Sequence, residues 1–151
     1  MSPLDYPELE QAALRLLAGR EHSRQELRNK LHSRGGEPED TERLLDQLEQ
    51  QGYLSDERFL EQYVEVRIRK GFGPLRIRAE LQERGLDDGL INEQLRESDS
   101  HWSEQMRDVA RRKFGDIASD DRKQQTKIAR FLEYRGFPPS LIRSLLWDGT
   151  D

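Results

Sequence analysis

One pattern recurs three times along the chain and limits what it can fold into. Two apolar residues four positions apart are followed, three residues later, by Arg-Gly. The copies span residues 27–35, 77–85 and 128–136, at periods of 50 and 51 residues. Apolar residues four apart share one face of an α-helix, and glycine commonly ends a helix. The pattern therefore predicts three copies of one helical repeat.

A second apolar pair follows each copy, at Leu44-Leu45, Leu90-Ile91 and Leu141-Ile142, so each repeat is predicted to hold three short helices. Only 33% of the 151 residues are hydrophobic and 36% are charged, which is too little apolar material for one large core. We predict an all-α, elongated tandem array of three helix-turn-helix-like units. Their predicted limits are 1–54, 55–98 and 99–151, with a polar joint at 97–100.

The middle repeat carries the clearest helix signals. Ser55 is a good N-cap, Gly71 should end the helix that follows, and Pro74 has the fixed φ of a first helical position. Gly71, Gly73 and Pro74 should therefore set the angle of a tight turn between two helices.

Positive charge is concentrated around that turn, although the whole chain carries a net charge of -5. Residues 67–84 hold six Lys or Arg against two acids, and residues 107–135 hold nine against five. A run of this kind is usually a solvated charged face, but a local excess in an acidic chain is equally consistent with an interaction surface. The predicted partner-binding residues are Arg67, Arg69, Lys70, Phe72, Arg76, Arg78, Arg111, Arg112, Lys113, Lys123 and Lys127.

Other charged and aromatic residues are better explained by structure. Arg34, Arg84 and Arg135 each precede a helix-ending glycine, where a guanidinium can reach the last carbonyls. The apolar stripes predict that four aromatic residues lie in the core, while Phe72 and Tyr134 are better candidates for exposed contact. The four are Phe59, Tyr63, Trp102 and Phe131.

Catalytic chemistry is hard to assemble from this sequence. His22, His32 and His101 lack a nucleophile and carboxylate arrangement and are predicted to be surface residues. The acidic pairs 87–88 and 120–121 precede helices and are predicted to be caps rather than cation ligands. The chain has no cysteine and no long apolar run. We predict a cytoplasmic protein that is not an enzyme and needs no metal or cofactor.

Residues 9–147 resemble the RecX family of recombination regulators, and the resemblance is clearest in the second and third repeats. In the middle repeat the matching residues are Gly52-Tyr53-Leu54, Asp56, Arg58-Phe59, Tyr63, Arg67, Lys70-Gly71, Gly73-Pro74, Ile77, Glu80-Leu81 and Arg84-Gly85. In the last they are Trp102, Ala110, Lys113-Phe114, Lys123, Arg130-Phe131-Leu132, Arg135-Gly136-Phe137 and Ile142. The resemblance implies a bacterial protein that binds RecA-type recombinase filaments and restrains them, with single- or double-stranded DNA present in the filament.

Two other functions stay open at this point. A direct DNA-binding protein is suggested by helix-turn-helix-like trios and two basic patches, although the isoelectric point near 5.4 opposes it. A passive adaptor is also compatible with the composition. In each case we expect a monomer that has no contact with membranes.

Overall fold

The computed structural model describes residues 3–97, 101–118 and 120–147, and within them the chain forms nine α-helices and no strand. The helices are α1 Tyr6–Gly19, α2 Arg24–Ser33, α3 Pro38–Gln50, α4 Asp56–Arg69, α5 Pro74–Glu83, α6 Asp88–Glu97, α7 Trp102–Phe114, α8 Arg122–Arg135 and α9 Pro139–Leu146. No helix in this part of the chain is both long and apolar enough to cross a membrane. The all-α prediction of three helices per repeat is confirmed.

Local sequence signals set the helix ends. Ser23 and Glu26 form a capping box on α2, and the Ser55 hydroxyl accepts the amide of Arg58 at the start of α4 (3.2 Å). Asp87 likewise accepts the amide of Leu90 (3.2 Å), which supports its predicted role as a cap. Gly71 follows α4 with φ +91°, a conformation that residues with a Cβ rarely adopt.

Contacts between residues divide the chain into two compact units. The first comprises Met1–Gln62 and Leu81–Leu90, and the second comprises Tyr63–Glu80 and Ile91–Asp151. Helices α4, α5 and α6 therefore each contribute to both units. The predicted repeat limits at 54 and 98 stay predictions. Of the polar joint predicted at 97–100, Glu97 ends α6, and residues 98–100 lie outside the described residues.

One core cluster of the first compact unit is built mainly from the apolar stripes of α1, α2 and α3. Its buried members are almost all leucines: Leu9, Ala13, Leu27, Leu31, Leu44, Leu45, Leu48 and Leu54. In the second unit, Trp102, Ile128, Leu132 and Phe137 are each at most 1% exposed. Removing such side chains from water is the main favourable contribution to the stability of these short helices.

The same junction between repeats occurs once in each compact unit. In the first, the Ser23 hydroxyl at the start of α2 donates to the carbonyl of Arg84 at the end of α5 (2.9 Å). In the second, the amide of Gly73 before α5 donates to the carbonyl of Arg135 at the end of α8 (2.7 Å). Positions 23 and 73 are equivalent in the sequence repeat, as are 84 and 135. Equivalent positions of the repeat therefore meet in both units, through a side-chain donor in the first and a backbone donor in the second.

In the second unit, glycine is required where the backbone before α5 meets the backbone at the end of α8. A Cβ at Gly73 would lie 2.6 Å from the carbonyl oxygen of Gly136, and one at Gly136 would lie 2.4 Å from Cβ of Arg76. Both distances are shorter than a van der Waals contact. The turn at Gly73 is thus fixed by close approach, whereas the turn at Gly71 is fixed by its positive φ.

His22 is buried, at 1% exposure, so the expectation of a surface residue is wrong for this histidine. It directly precedes the N-cap of α2, a position whose side chain often packs against the helix. Its Nδ1 lies 3.1 Å from the carbonyl of Arg20, and its Nε2 lies 2.8 Å from Nζ of Lys30. A neutral imidazole protonated on Nδ1 satisfies both contacts. His32 and His101 are exposed, as predicted.

The Gly73→Ala substitution should destabilise the protein by about 1–3 kcal/mol, because overpacked sites must shift their surroundings. Chemical denaturation followed by circular dichroism measures this change. The matched control is Gly19→Ala, since a Cβ at Gly19 meets nothing within 4 Å and its φ is not positive. The control should change stability by less than about 0.5 kcal/mol. Equal stability of the two variants would contradict the close junction.

Stability should also fall as the pH drops below the ordinary His22 pKa of 6.5. Burial, followed by the charges of Arg20 and Lys30, lowers the pKa of His22, although the Arg20 carbonyl acts against them. Just below pH 6.5 the unfolded chain therefore binds more protons than the folded chain, which favours unfolding. Denaturant titrations between pH 8 and pH 5 should show this slope in the parent and in His32→Gln, and a weaker slope in His22→Gln.

Candidate partner-binding groove

Basic residues from separate parts of the sequence meet in one groove of the second compact unit. Lys70 comes from the residue after α4, Arg112 and Lys113 from the last turn of α7, and Arg135 from the end of α8. Val109, Phe131 and Gly71 provide the less polar part of the lining. We call this recess of about 220 Å³ the basic groove.

Three helix ends bring these cations together. A helix carries partial negative charge at its C-terminus, which stabilises an exposed cation there by about 0.3–1 kcal/mol. That effect accounts for a basic residue at each helix end. It does not account for the placing of several such ends around one groove, where the cations repel one another. A negatively charged partner would relieve that repulsion.

Gly71 allows the end of α4 to approach α7 closely. A Cβ at this position would lie 3.3 Å from a methyl carbon of Val109 and 3.2 Å from the guanidinium of Arg135. Arg135 also donates from Nη1 to the carbonyl of Lys70 (2.8 Å). The predicted capping role of Arg135 is therefore directed at α4 and not at its own helix.

Beside the groove, three guanidinium groups surround the ring of Phe72. Their central carbons lie 3.8 Å (Arg67), 4.4 Å (Arg76) and 4.9 Å (Arg135) from the ring centre. Contacts of this kind are cation-π interactions, and they help to fix the three side chains. We call these four residues the Phe72 cluster.

Glu80 neutralises part of the Phe72 cluster. Its carboxylate accepts two hydrogen bonds from Arg67 (2.8 and 2.7 Å), one from Tyr63 (2.8 Å) and one from Arg76 (3.3 Å). Burial works against the charged form, but the bonds from Arg67 and Tyr63 outweigh it and hold the Glu80 pKa below its ordinary value. The Arg67 side chain is only 17% exposed. Arg67 and Arg76 are therefore already engaged by contacts within the protein.

The remaining predicted residues fall into two groups. Arg78 donates to the side-chain oxygen of Asn92. Seven others are exposed, and none of the seven pairs with an acid in the part of the chain that the structure describes. They are Arg69, Lys70, Arg111, Arg112, Lys113, Lys123 and Lys127. Lys70, Arg112 and Lys113 line the basic groove, while Lys123 and Lys127 lie on α8 outside its lining.

Sequence reasoning missed two contributors to the groove. It predicts a capping role for Arg135 and a core position for Phe131. Phe131 is partly buried against Phe114, with ring centres 5.4 Å apart at nearly a right angle. Trp102 and Phe59 are buried and Tyr134 is 75% exposed, as predicted. The signal that could have found Arg135 is the third Arg-Gly pair, whose arginine is the last residue of the basic segment 107–135.

Family models and known relatives agree on what this chain is similar to. Three RecX models match it, the first three-helix domain over residues 11–48, the second over 55–95 and the third over 103–146. A regulatory protein RecX from Pseudomonas fluorescens is 48% identical over 134 residues, covering 89% of this chain and 86% of the relative. One from Pseudomonas putida is 46% identical over 144 residues, covering 95% and 92%.

Solved structures show the same fold at lower identity. The crystal structure of RecX from Lactobacillus salivarius has a TM-score of 0.80 at 23% identity and covers 93% of each chain. A second crystal structure of a regulatory protein RecX has a TM-score of 0.74 at 20% identity, covering 95% of this chain and 73% of the other. Because three family models match most of its length and relatives share nearly half its residues, this chain belongs to the RecX family of regulatory proteins.

Proposed function

We propose that this protein binds RecA-type recombinase filaments on DNA and inhibits filament growth, ATP hydrolysis and strand exchange. It would thereby modulate recombination and DNA repair. Membership of the RecX family supports a regulatory role. The observation that carries the proposal is the basic groove, in which Lys70, Arg112 and Lys113 from the ends of α4 and α7 are exposed and lack acidic partners among the described residues.

The groove is suited to acidic side chains of a protein partner. Lys70, Arg112 and Lys113 supply charge, and the sides of Val109 and Phe131 supply apolar surface beside it. Protein interfaces commonly combine an apolar centre with charged residues around it, and the charges set partner choice and association rate. Carboxylates on the recombinase are therefore the expected ligands.

We propose that the residues of the predicted site have different roles. Arg69, Lys70, Arg111, Arg112 and Lys113 contact the partner. Arg67, Arg76 and Phe72 position the end of α4 through the Phe72 cluster and Glu80. Arg78 supports α5 through Asn92, and Gly71, Gly73 and Pro74 fix the turn.

Direct DNA binding is the second candidate, and one helix favours it. Helix α8 has the sequence RKQQTKIARFLEYR, with five basic residues and one acid. Exposed cations along a helix are typical of phosphate-binding surfaces. The two candidates differ in whether inhibition follows recombinase binding or occupation of DNA.

Inhibition should appear at concentrations well below that of the recombinase. A regulator that stops filament growth or contacts several recombinase subunits acts on many monomers at once. DNA-dependent ATP hydrolysis and strand exchange by a RecA-type recombinase would be measured against increasing regulator. Inhibition only when the regulator saturates free DNA would instead support competition for DNA.

Charge reversal in the groove should weaken this inhibition. In Lys70→Glu combined with Arg112→Glu, each attraction to an acidic partner becomes a repulsion, so roughly tenfold or more protein should be needed. The measurement is the concentration that halves ATP hydrolysis at constant DNA occupancy.

The control has the same change in net charge at another place. Arg15→Glu combined with Arg34→Glu alters two exposed cations of the first compact unit. This variant should inhibit like the parent. Equal loss in both double variants would mean that net charge, and not the groove, governs inhibition.

Arg67 and Arg69 should separate positioning from contact. Arg67→Gln removes the two guanidinium bonds to Glu80 and should cost about 1–3 kcal/mol of stability. Arg69→Gln alters an exposed side chain and should cost less than about 0.5 kcal/mol while still weakening inhibition. Denaturation and inhibition assays on both variants test these two roles. Unchanged stability in Arg67→Gln would contradict its positioning role.

A further inference from the structure

Trp147 stands out because half of a large aromatic side chain is exposed. It is 51% exposed, whereas Trp102, the other tryptophan, is 1% exposed. Trp147 directly follows α9 and forms a recess of about 320 Å³ with Arg122, Gln125 and Thr126 of α8. This recess is separate from the lining of the basic groove.

The indole ring is held in one orientation. Its Nε1 donates to Oε1 of Gln125 (2.9 Å), and Nε2 of Gln125 lies 3.4 Å from the carbonyl of Leu146. The only polar atom of the indole is therefore satisfied within the protein. What the ring still offers to a ligand is its flat apolar face.

Cations continue from this recess along α8. Arg122, Lys123, Lys127 and Arg130 are exposed, and the row covers eight residue steps, or about 12 Å of helix. Asp121, the nearest acid before them, accepts the amide of Lys123 as the N-cap of α8 (3.0 Å). A fixed aromatic face beside a row of cations is the arrangement that binds single strands, in which bases stack and phosphates pair with cations.

We propose that Trp147 is a stacking platform for an unpaired nucleobase of a single-stranded nucleic acid. Arg122, Lys123 and Lys127 then contact the phosphates that flank this base. A base within a duplex is stacked on its neighbours and cannot occupy the recess, so the site selects single strands. This site is independent of the basic groove and of recombinase inhibition.

The test compares an oligothymidylate with an abasic oligomer of the same length and charge. The parent should bind the oligothymidylate more tightly, and Trp147→Leu should abolish this preference because only the phosphates are still bound. Stacking on an aromatic side chain is worth a factor of about 5–150 in affinity. Trp147→Phe, which keeps a smaller ring, should retain part of the preference.

Two further measurements separate stacking from charge. Binding should quench the tryptophan fluorescence of the parent, because Trp102 is shielded and Trp147 is not. Lys123→Gln combined with Lys127→Gln should keep the base preference while reducing the salt dependence by about 0.7 in log-log slope for each phosphate that the protein no longer neutralises. The matched aromatic control is Tyr53→Leu, since Tyr53 is 54% exposed and lies in the first compact unit.

Several results would overturn the proposal. These are equal affinity of the parent for the two oligomers, an unchanged preference in Trp147→Leu, or the same loss of preference in Tyr53→Leu. Should Trp147→Leu instead weaken recombinase inhibition without affecting oligomer binding, the ring contacts a protein and the nucleobase assignment is wrong. Failure of inhibition in groove variants has no bearing on this result, so the two proposals fail separately.

Discussion

The backbone hydrogen bonds between the end of one helix and the start of another are the constraint on which the rest of the second compact unit depends. Gly73 and Leu75 donate to the carbonyls of Arg135 and Gly136 over 2.7 and 2.9 Å, which places the end of α8 against the start of α5. Arg135 can reach the carbonyl of Lys70 because this junction is so close. The Phe72 cluster and the groove lining follow from the same approach. A side chain on either glycine would separate the helices and disperse the cations.

The fold was largely predictable because its signals are local. Ser23, Ser55 and Asp87 act as caps, Pro74 begins α5, and the positive φ of Gly71 follows the end of α4, as the sequence indicates. Each of these effects operates within about four residues, so no knowledge of tertiary structure is needed. The three-part repeat supplied the rest, because equivalent apolar faces need equivalent partners.

The candidate site was less predictable because its organisation depends on distant residues. Arg67 and Arg69 are two positions apart and look alike in sequence, yet Arg67 binds Glu80 and covers Phe72 while Arg69 is exposed. His22 likewise stands in a loop-like context in the sequence, yet packing leaves it only 1% exposed. Sequence spacing locates a cluster of charge. Only the packing of the helices decides which charges are already neutralised and which can meet a partner.

The division between neutralised and exposed cations also explains how an acidic protein can present a basic surface. Arg67 and Arg76 share Glu80, so their charge contributes to stability and less to the external field. In the first compact unit, Arg24 and Arg28 are paired in the same way with Glu42, whose pKa is lowered to about 2, chiefly by its bond from Arg28. An arginine that is paired with a carboxylate in this way is less available to bind an external ligand. The exposed cations of α7 and α8 then act over short distances, since salt screens charges beyond about 10 Å. A net charge of -5 therefore does not prevent local attraction of acidic groups or phosphates.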